Sequence, residues 1–375
     1  MREKPSFSSI WSCGRTHTRI TFPLLIALTF GLILPFAIPL NAQDATEYHR
    51  RADDALHSFL LKFWDGKDQY LRAPFPDNGG LTGYWTYANG WEALLDAVQR
   101  TGQHTNLIEC FFAGQDFRDW FSGYYDDECW MAVALLRAYD LTQEMKYLEK
   151  AKTLYADVRT GWDTNCCGMA KGGLWWDKAH TQKATAANAG AALAGAMLYR
   201  RTGDVSDLTF AQQVYSFWRT SMVNTTTWQV CDHITLNGEK VWWKFTYNEG
   251  LMIGACTELF DATGTATYLE DAHRFAGFMV GSEVLPTSYG NILNDGDNAG
   301  CLGDCAQFKS PAYRHLLRLY LMDTTKQQYY QVLKASVDAL WIWPELQIIP
   351  RSRSVGMVLL NQLSSRGKRT LLSPR

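Results

Sequence analysis

ATAANAGAALAGAMLYRRTGDVSDLTFA, residues 184–211, holds the pattern that decides the fold. Its first half, from Ala184 to Tyr199, is built almost wholly of small and apolar residues, which suits a helix buried on all sides. The polar turn RRTGD follows, and a second helix begins behind it. The second helix of such a pair is amphipathic elsewhere in the chain, as in YLEDAHRFAGFMV from Tyr268, and so suits an outer layer facing water. One unit is therefore a helical hairpin with a buried arm and a half-exposed arm.

The unit recurs. Tyr139, Tyr199, Phe260 and Tyr320 each end a small-residue apolar helix, at spacings of 60, 61 and 60 residues by subtraction. The segments that follow align: AYDLTQEMKYLEKA from Ala138, LYRRTGDVSDLTFA from Leu198, LFDATGTATYLEDA from Leu259 and LYLMDTTKQQYYQV from Leu319. A shorter copy, AVQRTGQHTNLIEC, starts at Ala97. The pattern predicts outer helices near 45–64, 104–120, 145–159, 207–222, 267–281 and 327–341, and inner ones near 84–98, 124–139, 184–199, 245–260 and 305–320. Hairpins of this length close into a double-walled ring, so the expected fold is all-α, an (α/α)6 toroid. A sixth inner helix should follow Trp341, yet PELQIIPRSRSVGMVLLNQLSSRGKRTLLSPR lacks its pattern. The last inner helix is thus expected to be missing or degenerate, through truncation or a wrong exon or frame.

At the other end, Arg2, Lys4, Arg15 and Arg19 precede an uncharged apolar run from Thr21 to Leu40 and the small-residue stretch Leu40, Asn41, Ala42. That is a signal-peptide layout; the run is also nearly long enough for an uncleaved anchor, although Pro23, Pro35 and Pro39 weigh against a span. The expected organisation is a signal peptide over 1–42, a toroidal catalytic domain over 43–343 and an atypical tail over 344–375. The protein is expected to be secreted or extracytoplasmic, without stable membrane insertion once the signal is removed, and monomeric.

A formal charge of −2, with no long lysine or arginine block, excludes nucleic acid as a partner. Nine cysteines include Cys13 in the signal, leaving an even eight for an oxidising compartment. Cys166 with Cys167, and Cys301 with Cys305, lie in loop-like stretches where bridges fit, whereas Cys129 and Cys256 fall inside apolar helices as buried free thiols. No spacing matches a zinc site. Asp295, Asp297 and Asn298 alternate like part of a calcium loop but lack its glutamate, so no metal and no cofactor is expected. His180 and His233 have no partner at ligand spacing and read as surface or loop residues.

In such a toroid the loops leading into the inner helices converge at one mouth. Five of them are rich in polar and aromatic residues: TGYWTYANGWEA, SGYYDDECWMA, GGLWWDKAHTQKATAANAG, VWWKFTYNEGLMIG and DGDNAGCLGDCAQFK. The second carries Asp126 and Asp127 in the first turn of an apolar helix, flanked by Tyr124, Tyr125 and Trp130. Acids in a first turn commonly do no more than complement the helix dipole, worth a few tenths of a kcal/mol. At the mouth of a funnel, however, two adjacent carboxyls supply what glycoside hydrolysis needs, one ionised and one protonated. Fifteen Trp and eighteen Tyr include rings beyond the needs of a core, which suits stacking on sugars. Trp175, Trp176 and Asp177, then Tyr247, Asn248 and Glu249, then Trp85, Tyr87 and Asn89, with Tyr125, Asp304 and Phe308, are the candidate sugar-binding residues; barrel-plugging or helix-capping roles stand beside each.

GYYDDECWMAVALLRAYDLT, GGLWWD, RRTGD, FTYNEGLMIGACTELFDATG and GDCAQFK together resemble glycoside hydrolase family 76, the endo-α-1,6-mannanases, across residues 45–341. The resemblance implies an (α/α)6 barrel, endo-cleavage of α-1,6-linked mannan and retention of configuration. It also implies that Asp126 is the nucleophile and Asp127 the general acid/base. The tail is where the chain departs from the family pattern. A transglycosidase acting on mannan-type glycans and a non-catalytic glycan-binding toroid are the alternatives. Uronyl hydrolases and epimerases on the same scaffold are disfavoured by the contiguous acid pair.

Overall fold

In a computed structural model of the chain, the described residues are 42–73, 80–168, 170–295 and 307–342. The expected signal region up to residue 41, the tail from 343, and the stretch 296–306 with Asp297, Asn298, Cys301, Asp304 and Cys305 lie outside them.

Eleven helices are found among the described residues, alternating between two walls as the repeat requires. The inner wall holds α2 (Tyr84–Thr101), α4 (Tyr125–Thr142), α6 (Thr185–Thr202), α8 (Thr246–Thr263) and α10 (Lys309–Met322). The outer wall holds α1 (Ala42–Phe63), α3 (Thr105–Asp116), α5 (Met145–Thr160), α7 (Val205–Ser221), α9 (Ala266–Ser282) and α11 (Gln327–Ile342). Inner helices neighbour one another in the order α2, α4, α6, α8, α10, so all five run in the same direction around one axis.

The repeat is fixed by a turn copied four times. Gly102, Gln143, Gly203 and Gly264 end α2, α4, α6 and α8 in the left-handed region, at φ 69°, 59°, 73° and 70°. Their N–H groups donate to the carbonyls of Val98, Tyr139, Tyr199 and Phe260. In each copy the preceding threonine, Thr101, Thr142, Thr202 or Thr263, donates its hydroxyl to the carbonyl four residues back. The same hydroxyl accepts the N–H two residues on. Each turn thus satisfies two otherwise orphaned groups and sends the chain back along the outer wall. The fifth inner helix ends differently, at Asp323 with φ −137°.

Small residues let the inner helices approach. A Cβ on Gly190 of α6 would lie 2.8 Å from Cys129 Cβ of α4, and one on Gly250 of α8 would lie 2.5 Å from Ala312 Cα of α10. Cys110, Cys129, Cys231 and Cys256 are buried thiols, and Cys166 and Cys167 form a vicinal disulfide.

One feature was not expected. Seven short strands decorate the ring among the described residues, including the antiparallel sheet of β3 (Gln182–Ala184), β4 (His233–Thr235) and β5 (Lys240–Val241). Strands of two to four residues carry no readable alternation. Among the described residues no helix stands between α10 and α2, where the sequence pattern also lacks one; Arg314 of α10 instead reaches Glu92 at 3.2 Å and Asp96 at 3.5 Å on α2.

Candidate active site

Because the inner helices are parallel, their N-termini gather at one end, about 27 Å from their C-termini for an 18-residue helix. The mouth so formed contains the Asp126–Asp127 pair. Asp126 sits on an aromatic-lined loop junction: Tyr125 N–H donates to the Trp176 carbonyl at 2.8 Å, and Lys178 N–H to the Gly123 carbonyl at 2.9 Å. These bonds lock the 175–178 loop against the start of α4, so the Trp176 indole N–H donates to the Asp126 carboxyl. Asp126 Oδ1 is buried with no partner. Burial, and then the charge of Asp127, push the Asp126 carboxyl up to about 8. Asp127 accepts from Ser122 Oγ at 2.7 Å. Asp126 therefore keeps its proton near neutral pH, beside a second carboxyl.

Behind the pair, Glu128 is fully buried, accepts from Ser122 N–H at 3.0 Å and Lys178 Nζ at 2.8 Å, and is pushed up to about 7 by burial. Lys178 also pairs with Asp157 at 2.6 Å, tying the mouth loop to α5. In front, the half-buried Trp176 ring tilts against the exposed Tyr124 ring at 4.8 Å.

The far side of the mouth is organised by a residue absent from the sequence expectations. Asp232 is buried and takes three donors: Tyr247 OH at 2.5 Å, Asn248 Nδ2 at 3.2 Å and His233 Nδ1 at 2.7 Å. Burial first, and then the charge of Asp232, hold the Tyr247 phenol well above its ordinary value; Asp126 lies close enough to add to that effect. An arc of rings continues from Trp243 through Phe245 and Phe308 to Trp85, with centroids 5.8, 4.9 and 6.1 Å apart.

The other expected residues divide by the way they face. Tyr87 is fully buried, stacked on Tyr70 at 3.6 Å with its hydroxyl on the Phe111 carbonyl, because the helix rotation turns it to the outer wall. Tyr125 is buried against Gly161, between α4 and the end of α5. Neither reaches the mouth, which corrects their sugar-binding expectation. Trp175 is buried and stacked on the exposed His180 at 4.9 Å. Both Asp177 oxygens accept from Thr181, bracing the loop. Asn89 is buried, with Nδ2 on the Trp85 carbonyl. Glu249 accepts from Val230 N–H at 2.8 Å, is pushed up to about 8 by burial, and faces Glu283 rather than the pair. Asp295 caps α8 through Thr246 N–H and pairs with Lys309 at 3.2 Å. Among the described residues no group of acids, histidines and cysteines is arranged to hold a metal ion. His233, expected in a surface loop, is buried on Asp232. The only hint of Asp232 and His233 in the sequence was their closeness to VWWKFTYNEG.

A cavity of about 610 Å³ opens at the opposite end, lined by Arg137, Arg200, Arg314 and Arg318 paired with Glu92, Asp96, Glu258 and Asp261. Its acids and arginines are ion-paired with one another.

The chain is similar to known proteins over most of its length. The sequence model of the family described as Glycosyl hydrolase family 76 matches residues 47–344. The mannan endo-1,6-alpha-mannosidase DCW1 of Candida glabrata is 26% identical over 288 residues, 67% of this chain and 61% of that protein. The chain thus matches less than two thirds of that relative's length. The GH76A alpha-1,6-mannanase of Salegentibacter sp. HEL1_6 superposes with a TM-score of 0.74 at 25% identity, over 84% of this chain and 98% of that one; an inactive variant of it was solved with alpha-1,6-mannotetrose. A family 76 mannosidase of Bacteroides thetaiotaomicron shares the fold, with a TM-score of 0.75 at 20% identity over 86% of this chain and all of its own.

Proposed function

The chain belongs to glycosyl hydrolase family 76, and from that premise we propose that it is an exported, retaining glycoside hydrolase cleaving α-1,6-mannosidic linkages inside mannan chains. Residues 43–343 form its catalytic domain, acting as a monomer. The observation that carries the reading is the Asp126–Asp127 pair at the mouth, where burial and then the charge of Asp127 raise the Asp126 carboxyl so that it keeps its proton near neutral pH.

The cycle uses that single proton. A glycosidic oxygen over Asp127 favours the form in which the proton sits there and Asp126 is ionised, the Trp176 indole N–H and the amides of the α4 start stabilising the charge. Asp126 attacks the anomeric carbon while Asp127 gives its proton to the leaving oxygen, forming a glycosyl ester on Asp126. Asp127, now a base, takes a proton from water, and the hydroxide so generated displaces Asp126 with the configuration restored. Tyr124 and Trp176 form an apolar wall beside the reacting ring, and Phe308 and Trp85 offer stacking faces across the mouth. Export is supported by the basic, then apolar, layout of residues 2–40, and a vicinal disulfide suits an oxidising compartment.

Release of mannose oligomers from linear α-1,6-mannan, compared among wild type, Asp126→Ala and Asp127→Ala, tests the proposal. Loss of at least a thousandfold in each variant is expected, with retained anomeric configuration in the wild-type product. Undiminished release by both variants would remove the pair from the mechanism.

A further inference from the structure

We propose that Asp232, His233 and Trp243 build a second sugar subsite at the mouth, apart from the carboxyl pair, that takes a mannose residue further along the bound chain; this rests on the mannan-cleaving reading above. Trp243 lies in the link between β5 and α8 with 56% of its surface exposed, although the other tryptophans among the described residues are buried or half-buried. It is not loosely held. The His233 ring meets it edge-on at 5.1 Å and 68°, and Phe245 does the same at 5.8 Å and 66°. Two edge-on braces fix the indole while leaving apolar surface open to solvent. A rigid, exposed aromatic face matches the CH-rich face of a pyranose ring and loses little entropy on contact.

The polar half of the subsite is equally fixed. Asp232 already accepts from Tyr247 and Asn248, so His233 Nδ1 carries the hydrogen of their 2.7 Å bond. That bond sets the orientation of the ring and of Nε2, the atom we assign to a sugar hydroxyl. An aromatic platform beside one oriented nitrogen is the mixed apolar and polar lining a sugar requires. The pattern also accounts for a carboxylate buried at the start of a three-residue strand with three donors on it: Asp232 is a positioning residue, holding His233 on one side and Tyr247 on the other.

Trp243 connects to the Tyr247 ring through Phe245, at 5.8 and 6.0 Å between centroids, and Tyr247 in turn lies near enough to Asp126 to feel its charge. A sugar on Trp243 is thus set back from the reacting centre. Its contribution grows with the length of the bound chain and appears in KM more than in kcat.

The experiment measures kcat and KM of wild type, Trp243→Ala, Trp243→Phe and His233→Gln on α-1,6-linked mannose oligomers of increasing length. The expected loss in kcat/KM for Trp243→Ala rises with length, reaching tenfold or more on the longest, is carried by KM, and is largely rescued in Trp243→Phe. His233→Gln, which keeps a hydrogen-bonding group, loses less than Trp243→Ala. A loss equal at every length, or carried by kcat, overturns the subsite, as does no loss. Calorimetry in the Asp126→Ala background separates the two readings. If wild type fails to cleave mannan yet binds the longest oligomer at least tenfold more tightly than Trp243→Ala does, the hydrolase reading falls and the subsite stands. Binding that ignores Trp243, or no binding, overturns the subsite.

Discussion

Replacing Asp126 by Asn is expected to stabilise the fold while abolishing turnover. The carboxyl is pushed up to about 8 by burial and by Asp127, whereas an aspartate in an unfolded chain titrates near 4. The folded state therefore holds a proton that the unfolded state releases. The stability this contributes is fully present below about pH 4 and is lost progressively as pH rises through about 8. At pH 7 the gap covers about three units of about 1.4 kcal/mol each, an upper figure of about 4 kcal/mol. Partial solvent access and the charge shared with Asp127 reduce it to roughly 2–4 kcal/mol. An asparagine has nearly the same shape and no proton to lose, so the variant escapes this term. Thermal melts of wild type and Asp126→Asn across about pH 4 to 8.5 read it directly. The two should melt together in acid, and the variant should melt several degrees higher above neutrality. A difference that does not grow with pH, or one of opposite sign, refutes the argument that the pair stores unfavourable charge.

Two further predictions concern the scaffold. Arg137 is the shared partner of Glu92 at 3.0 Å and Asp96 at 2.5 Å at the closed end of the ring, so Arg137→Met leaves buried carboxylates under-compensated and costs about 3–5 kcal/mol; urea unfolding with a loss under about 1 kcal/mol would show the ring of pairs to be incidental. Gly250→Ala would place a Cβ 2.5 Å from Ala312 Cα, a backbone clash that separates α8 from α10 and costs about 1–3 kcal/mol or more, read as a lower melting temperature with Gly277→Ala, where no atom lies within 4 Å, as the unaffected control.

The architecture was legible because inner and outer helices obey different compositional rules and because one turn is reused. Thr-Gly after Arg201, and its counterparts at 101, 142 and 263, mark helix ends that the hydrogen bonds then explain residue by residue. The position of the acid pair was legible for a related reason: helix direction alone puts every inner N-terminus at the same mouth. Rotation about the helix axis was not. Tyr87 and Tyr125 occupy the same first turns as Trp85 and Asp126, yet packing on Phe111 and Gly161 turns them outward. Asp232 and His233 were hidden because the strand they enter is three residues long, too short for any period to show. Their role exists only through Tyr247, 15 residues on, whose hydroxyl the fold brings to Asp232.

The two ends of the toroid also give acids on the same helices two different environments. At the end away from the mouth Glu258 is buried, and burial alone would raise it. Arg318 and Arg200 more than offset that, and hold it down to about 2. At the mouth the compensating arginines are missing: Asp126 Oδ1, Glu128 Oε2 and Glu249 Oε2 are buried without hydrogen-bond partners, and their carboxyls rise to about 8, 7 and 8, each through burial first. Glu128 is steadied by Lys178 and Glu249 faces another acid. Asp126 alone of these three adjoins a second carboxyl on a helix start open to the funnel. Among the described residues the fold therefore leaves acid uncompensated where the inner helices begin, and matches acid with arginine around the cavity at their other end. That asymmetry singles out the Asp126–Asp127 pair more strongly than the adjacency of two aspartates in the sequence.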